Sequence, residues 1–309
     1  MLSTTKSGEL VVNWHLTEAC NYKCNYCYAA WSKPNEEKAV WRSKEATSEL
    51  LNQLYNFFSP ENQSNDLKSE LEWTNVRLSI AGGEPLLAGK RFKSIVNDAS
   101  SLGFKLSLIT NGSMLTEDML EWLCPQLDML GISVDADSIK LNRLIGRSDR
   151  FGNSMTTSRL KLLINLTKEI NPKILIKINT VVNQSNWNSD LSSVIASCKP
   201  DRWKVLRALP SISNDIQISD EQFIHFVNKH MDFRDCMSVE DNTDMEQSYI
   251  MVDPHGRFFQ NDLSKSYQNG YAYSDQILQV GAEEAFSQIG FNSARFAKRY
   301  TSGAEVISA

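Results

Sequence analysis

The alternation of two segment types constrains this chain more than any other feature. Leu10–Leu16, Val76–Ile80, Lys105–Thr110, Met129–Val134, Lys173–Val182 and Arg202–Leu209 are short apolar runs that read as strands. Ser43–Phe58, Phe92–Leu102, Thr116–Leu123, Ser138–Ile145, Thr156–Glu169, Trp187–Ser197 and Asp220–Lys229 have helical spacing, with Thr116 placed to cap its helix. Strands followed by helices predict a parallel sheet with right-handed crossovers. Six units are too few to close the eight-stranded barrel. The expected fold is therefore α/β, an open, partial (β/α)6 barrel of the TIM-like kind. Lys33–Lys38 and Ser59–Glu70 read as polar connections. Beyond residue 235 the pattern changes. Gln247–Val252 and Arg257–Gln260 flank a turn at Asp253-Pro254-His255-Gly256, and helices are expected over Gly281–Ile289 and Asn292–Tyr300. Residues 1–235 are read as the barrel and 236–309 as an extension covering its mouth.

Parallel α/β folds collect their chemistry at the C-terminal ends of the strands. Here those ends carry Cys20, Cys24 and Cys27, then Gly82-Gly83-Glu84-Pro85, Asn111, Ser133, Asn179 and Arg207. Three thiolates spaced x3 and x2 on one loop can hold three irons of a [4Fe–4S] cube, which needs four ligands. The missing fourth leaves an iron open to a ligand, the logic that separates catalytic from structural metal sites. A structural zinc site is the alternative, with His15 nearby in sequence, but it calls for four ligands and a second CxxC pair that this chain lacks. Cys124, Cys198 and Cys236 are far apart and read as core thiols or incidental residues.

Bulk composition sets limits. The chain has 309 residues, 41% apolar and 22% charged, enough for a substantial core. A net charge of −5 argues against a nucleic-acid backbone as a direct partner. Met1–Ser7 has no signal-peptide core, and no run approaches the ~20 apolar residues of a membrane span. Free thiols suit a reducing compartment, so a cytoplasmic, membrane-free monomer is expected.

Two glycines allow a ligand close to the backbone, and Glu84 can accept from an ammonium group. On the strand Lys173–Val182, period two puts Lys177 and Asn179 on one face and Ile176 and Ile178 on the other. A lysine facing a barrel interior is costly unless paired. Lys204 on the next strand and Arg147 after the fourth-strand helix repeat the pattern. Together they read as an anion site for a triphosphate, with ordinary surface charges or internal ion pairs as the alternative.

The C-x3-C-x-aromatic-C pattern and the Gly-Gly-Glu-Pro segment resemble the radical S-adenosylmethionine (SAM) enzymes. The resemblance implies that Cys20, Cys24 and Cys27 hold the cluster and that its open iron chelates SAM. It implies that Tyr26 lies against the adenine, and that Gly82, Gly83, Glu84, Asn111 and Ser133 contact SAM. Lys177-Ile178-Asn179-Thr180-Val181-Val182-Asn183, Arg202-Trp203-Lys204-Val205, the segment Glu240–Ile250 and Val280-Gly281-Ala282-Glu283-Glu284-Ala285 narrow the likeness. They resemble the prokaryotic-type viperins, from about Trp14 to Arg299.

That family implies conversion of a nucleoside triphosphate (CTP, UTP or GTP) to its 3′-deoxy-3′,4′-didehydro form, an antiviral RNA chain terminator. A 5′-deoxyadenosyl radical takes the 4′ hydrogen, and the 3′ hydroxyl leaves as water with one electron and one proton taken up. The likeness implies that Lys177, Asn179 and Lys204 grip the triphosphate, with Arg147 on the triphosphate or on the SAM carboxylate. It implies Tyr249 as proton donor within a lid that includes Asn242 and Met245, and an electron donor such as a flavodoxin or ferredoxin. Two rivals are a radical SAM enzyme acting on a non-nucleotide and a metal-binding adaptor without catalysis.

Overall fold

The computed structural model describes residues 5–6, 8–27, 37–209, 214–261 and 271–301. Most of Met1–Ser7 and residues 33–36 of the first expected connection lie outside them. The described residues form two compact units. One holds residues up to 19, 37–107 and 244–301; the other holds 20–27, 108–209 and 214–243.

The first unit is built on β1 (Glu9–Thr17) and β2 (Asn75–Gly82), which run parallel from Glu9↔Asn75 to His15↔Ala81. Leu10, Val12, Trp14 and Leu16 are fully buried, as strand alternation requires. α1 (Lys44–Phe58) is capped by the Ser43 side chain, which accepts from the Ala46 N–H, and it buries Leu50, Leu51, Leu54 and Phe58. α2 (Lys90–Leu102) ends at Gly103, whose φ of 99° supplies the left-handed turn. On the other edge, β8 (Ile250–Val252) pairs parallel with β1, and β9 (Arg257–Asn261) and β10 (Tyr271–Gln276) continue antiparallel. Phe58, Phe258 and Phe286 meet edge to face at 5.3–6.0 Å, a favourable ring geometry.

In the second unit β3 (Lys105–Thr110) contributes from Leu108 onward. It is followed across the sheet by β4 (Met129–Ser133), β5 (Leu175–Val182), β6 (Arg202–Arg207) and β7 (Met237–Glu240). The pairs from β4 to β7 are all parallel, with Ser133↔Asn179↔Lys204↔Ser238 in register. The intervening helices are α3 (Glu117–Leu123), α4 (Ile139–Ile145), α5 (Thr157–Ile170), α6 (Ser192–Cys198) and α7 (Asp220–Lys229). Thr116, Ser138, Thr156 and Ser219 cap α3, α4, α5 and α7. At the base, Trp203 donates to the Thr180 hydroxyl (2.9 Å) and packs against Phe226, His230 and Phe233.

Three expectations shift. Helix α6 begins at Ser192 instead of Trp187, because Asn183 and Asn186 fold residues 183–189 into successive turns. Strand β8 begins at Ile250 instead of Gln247, because Gln247 adopts φ 54° and its carbonyl accepts from Asn292 N–H. Strands β7 and β10 carry no clear apolar alternation, and they form because their neighbours offer an edge to pair with.

His230 is fully buried. Its Nε2 accepts from Leu191 N–H at 2.9 Å, so Nδ1 carries the proton and donates to the Phe226 carbonyl at 2.7 Å. Burial lowers its pKa, so the folded chain keeps it neutral. Below about pH 6.5 the unfolded chain binds a proton there that the folded chain refuses. Stability is thus full above that pH and falls below it, by up to about 1.4 kcal/mol per unit. In denaturant titrations from neutral to mildly acidic pH, His230→Gln is expected to flatten this slope.

Candidate active site

The cysteine loop leaves the end of β1 and is fixed by main-chain contacts within the second unit. Lys23 N–H donates to the Gly146 carbonyl (2.9 Å) and Asn25 N–H to that of Ile145 (3.0 Å). Gly146 ends α4 with φ 84°, and a Cβ there would stand 2.1 Å from the Lys23 carbonyl oxygen. Only glycine meets both demands. Cys27 N–H then closes a turn onto the Cys24 carbonyl.

Donors point at two of the loop sulfurs. Cys20 Sγ accepts from Tyr22 N–H (3.4 Å) and lies 3.8 Å from Asn111 Nδ2. Cys24 Sγ lies 3.7 Å from a guanidinium nitrogen of Arg147. Burial pushes the Cys24 thiol pKa up, with Arg147 pulling the other way. Binding to iron replaces that proton, and the nearby N–H groups suit the sulfur charge. Among the described residues no three Cys, His, Asp or Glu side chains converge on a single metal ion. Sulfurs spread along one loop and served by N–H donors fit a cluster of several irons.

Behind the loop lies a buried charge network. Asp135 follows β4 and is fully buried. Its Oδ2 accepts from the Tyr26 hydroxyl and stands 3.3 Å from Arg147, while Oδ1 accepts from Val181 N–H of β5 at 2.8 Å. Arg147 donates to the Tyr26 oxygen (2.8 Å) and to the Ser133 carbonyl (2.7 Å). Burial opposes the guanidinium charge, but Tyr26 and Asp135 outweigh it and hold Arg147 protonated. Burial likewise raises the Tyr26 phenol well above its ordinary pKa, so it stays a neutral donor. Asp135 was not among the expected site residues. Its signal was present: an acid two residues beyond Ser133, at a C-terminal strand end.

Asn111 bridges the same region. Its Nδ2 donates to Asn21 Oδ1 and its Oδ1 accepts from Ser113 N–H, both at 2.8 Å. On β5, Ile176, Ile178 and Thr180 are buried and Lys177 and Asn179 half-buried, as the alternation predicts. Asn179 Oδ1 is buried with no hydrogen-bond donor among the described residues. Such an acceptor costs about 1–3 kcal/mol unless a ligand supplies the donor. Lys204 forms an ion pair with Glu240 at 2.7 Å, both side chains almost buried. Arg207, at the end of β6, is held by Asp220 and Asp241. The expected cations thus come with carboxylates that the sequence reading did not assign: Arg147 with Asp135, Lys204 with Glu240. Asn242 Oδ1 is another buried acceptor with no donor among the described residues.

The remaining expected residues belong to the first unit. Gly83 N–H donates to the Thr17 carbonyl and Glu84 N–H to that of Ala19. A Cβ on Gly83 would stand 2.1 Å from the Ala19 oxygen, so the close approach permitted by Gly82-Gly83 is to the chain's own backbone. Glu84 is fully buried and accepts from Leu86 N–H at 3.2 Å, capping the short turn Pro85–Ala88. Tyr249 lies with its ring beneath the Arg299 guanidinium (3.3 Å to the centroid). Met245 is buried, and its carbonyl accepts from Asn261. His15 packs edge-on against Phe259 at 4.9 Å, and burial lowers its pKa to about 3. No described helix is long and apolar enough to cross a membrane.

Comparison with known proteins bears on this arrangement. The Radical SAM superfamily profile matches residues 14–160. An S-adenosylmethionine-dependent nucleotide dehydratase of Pseudoalteromonas ulvae is 42% identical over 298 residues, covering 96% of this chain and 95% of that protein. Another of that name, from Siniperca chuatsi and called RSAD2, is 29% identical and covers 93% and 77%. Among solved structures, anSMEcpe with bound AdoMet has a TM-score of 0.67 at 17% identity, covering 93% of this chain and 84% of the other. At that identity the likeness shows the fold, the partial (β/α)6 barrel of radical SAM enzymes. A cysteine loop fit for a cluster, in a chain alike along almost its whole length, places this protein among the S-adenosylmethionine-dependent nucleotide dehydratases, the viperin family of the radical SAM superfamily.

Proposed function

We propose that this enzyme dehydrates a ribonucleoside triphosphate (CTP, UTP or GTP) to its 3′-deoxy-3′,4′-didehydro analogue, which then ends RNA chains in antiviral defence. The observation that carries the reading is the 42% identity to a nucleotide dehydratase over 96% of the chain. When bound, the [4Fe–4S] cluster and SAM supply the radical that removes the 4′ hydrogen.

The chain's own residues do the rest. Cys20, Cys24 and Cys27 hold the cluster, and Tyr26, Gly82, Gly83, Glu84, Asn111 and Ser133 contact SAM. Arg147, kept charged beside Cys24 by Asp135, serves the SAM carboxylate better than the triphosphate, since it already reaches a cluster ligand. Lys177 and Lys204 hold phosphates, with Glu240 setting the Lys204 ammonium in place. Asn179 Oδ1 needs a donor, which a ribose hydroxyl provides and a phosphate does not. Tyr249 donates the proton, in a lid with Asn242 and Met245. Residues 1–235 carry the six strand–helix units, and 236–309 are an extension that supplies the lid residues. The enzyme works as a cytoplasmic monomer.

The decisive experiment is an anaerobic assay offering each of the four ribonucleotides, read by mass spectrometry. A product lighter by one water from at least one triphosphate is expected, and deuterium should pass from a 4′-labelled substrate into 5′-deoxyadenosine. SAM cleavage coupled to a peptide and to no nucleotide would reject the reading. Cys24→Ala should abolish 5′-deoxyadenosine formation and bleach the reconstituted protein. Asp135→Ala should lower the unfolding free energy of the cluster-free chain by about 3–5 kcal/mol, because Arg147 is left as an unpaired buried charge. Lys204→Ala should spare SAM cleavage without substrate but raise the apparent KM for the nucleotide at least about tenfold, a charge-assisted contact being worth 1.5–3 kcal/mol.

A further inference from the structure

We propose that α4 and the turn after it form the docking surface for an acidic one-electron carrier protein. The inference rests on the radical SAM reading, in which one electron must reach the cysteine loop from outside. The loop is joined to this surface by the Lys23–Gly146 and Asn25–Ile145 main-chain hydrogen bonds. A protein seated here therefore rests on an element hydrogen-bonded directly to the cysteine loop.

The surface has both features of a protein interface. Helix α4 buries Asn142 and Ile145 and turns its other face outward. That face and the adjoining turn expose Ile139 (48%), Leu144 (67%) and Phe151 (72%). Large apolar side chains this exposed and this close together mark interaction sites. Arg143 Nε donates to the Gly152 carbonyl at 3.0 Å, which fastens the turn to the helix. Around the apolar residues stand the exposed cations Lys23, Lys140, Arg143 and Arg150, the last 4.6 Å over the Phe151 ring. Among the described residues the acids of this segment are Asp137 and Asp149, and the Asp149 carboxylate accepts from the N–H groups of Phe151 and Asn153.

Four cations against two acids give this face the sign opposite to the chain's net charge of −5. A positive patch with an apolar centre selects a negatively charged protein. The apolar centre favours a protein over the phosphate backbone of a nucleic acid, which would need cations alone. The transfer balances simply: the carrier is oxidised by one electron and the cluster reduced by one, with no bond made or broken.

Two double variants test the surface: Lys140→Glu with Arg150→Glu, and Leu144→Ser with Phe151→Ser. The probe is an acidic flavodoxin with its NADPH-dependent reductase. First, binding of oxidised flavodoxin to the reconstituted chain is measured at low and high salt, a readout independent of turnover. Second, SAM cleavage driven by reduced flavodoxin is compared with cleavage driven by dithionite. The proposal expects salt-sensitive binding, weakened about tenfold by each double variant, the apparent KM for flavodoxin rising by the same factor while dithionite-driven cleavage stays at the parent rate. Unchanged flavodoxin binding in both variants would overturn it, as would equal losses with both reductants. Weakening by the charge variant alone would also overturn it, reassigning the patch to a polyanion. If the parent chain binds flavodoxin but dithionite drives no SAM cleavage, the functional reading fails while the docking surface stands.

Discussion

A buried positive charge needs a buried negative one, and the second unit is organised around that need. Arg147 sits behind Cys24 with little access to water, and Asp135 is the carboxylate that makes this tolerable. Asp135 also accepts from the backbone of β5, and its own carbonyl accepts from Asn186. One side chain therefore ties together the cysteine loop, the end of β4 and the strand that carries Lys177 and Asn179. Dispersion and burial hold the sheet together, but this network sets the orientation of polar groups at its C-terminal edge.

The Lys204–Glu240 pair works in the same manner one strand further on. The short β7 exists at the register that places Glu240 across from Leu206, one step from the lysine it neutralises. A nearly buried cation is tolerated when a neighbouring carboxylate pairs with it, as Glu240 does here. In the proposed phosphate role, the incoming anion competes with the carboxylate for the ammonium. Such competition favours ligands with several negative charges over those with one.

Much of the barrel was legible in sequence because its signals are local. Strand β3 and helix α7 have the boundaries that apolar spacing predicts, and Ser43, Thr116, Ser138 and Thr156 sit where capping chemistry puts them. The cysteine spacing was equally direct, since three ligands on one loop need no tertiary knowledge. What sequence could not give was pairing across distance. Asp135 and Glu240 are ordinary acids until the fold sets them beside Arg147 and Lys204. The glycine pair Gly82-Gly83 was read as room for a ligand, and its tight packing on Thr17–Ala19 is a second demand that sequence did not show. Gln247 gave no hint of its left-handed backbone, because a tertiary contact with the Asn292 N–H favours it and residue type does not.

The Gly146 turn bears on how this chain can vary. Main-chain amides of Lys23 and Asn25, and not their side chains, moor the loop to the end of α4. The two side chains are exposed, while the backbone around them is fixed. A substitution at either side chain thus leaves the anchorage of the loop's sulfurs in place. Gly146 itself has no such latitude, and a single methyl group there would unseat the whole ligand set.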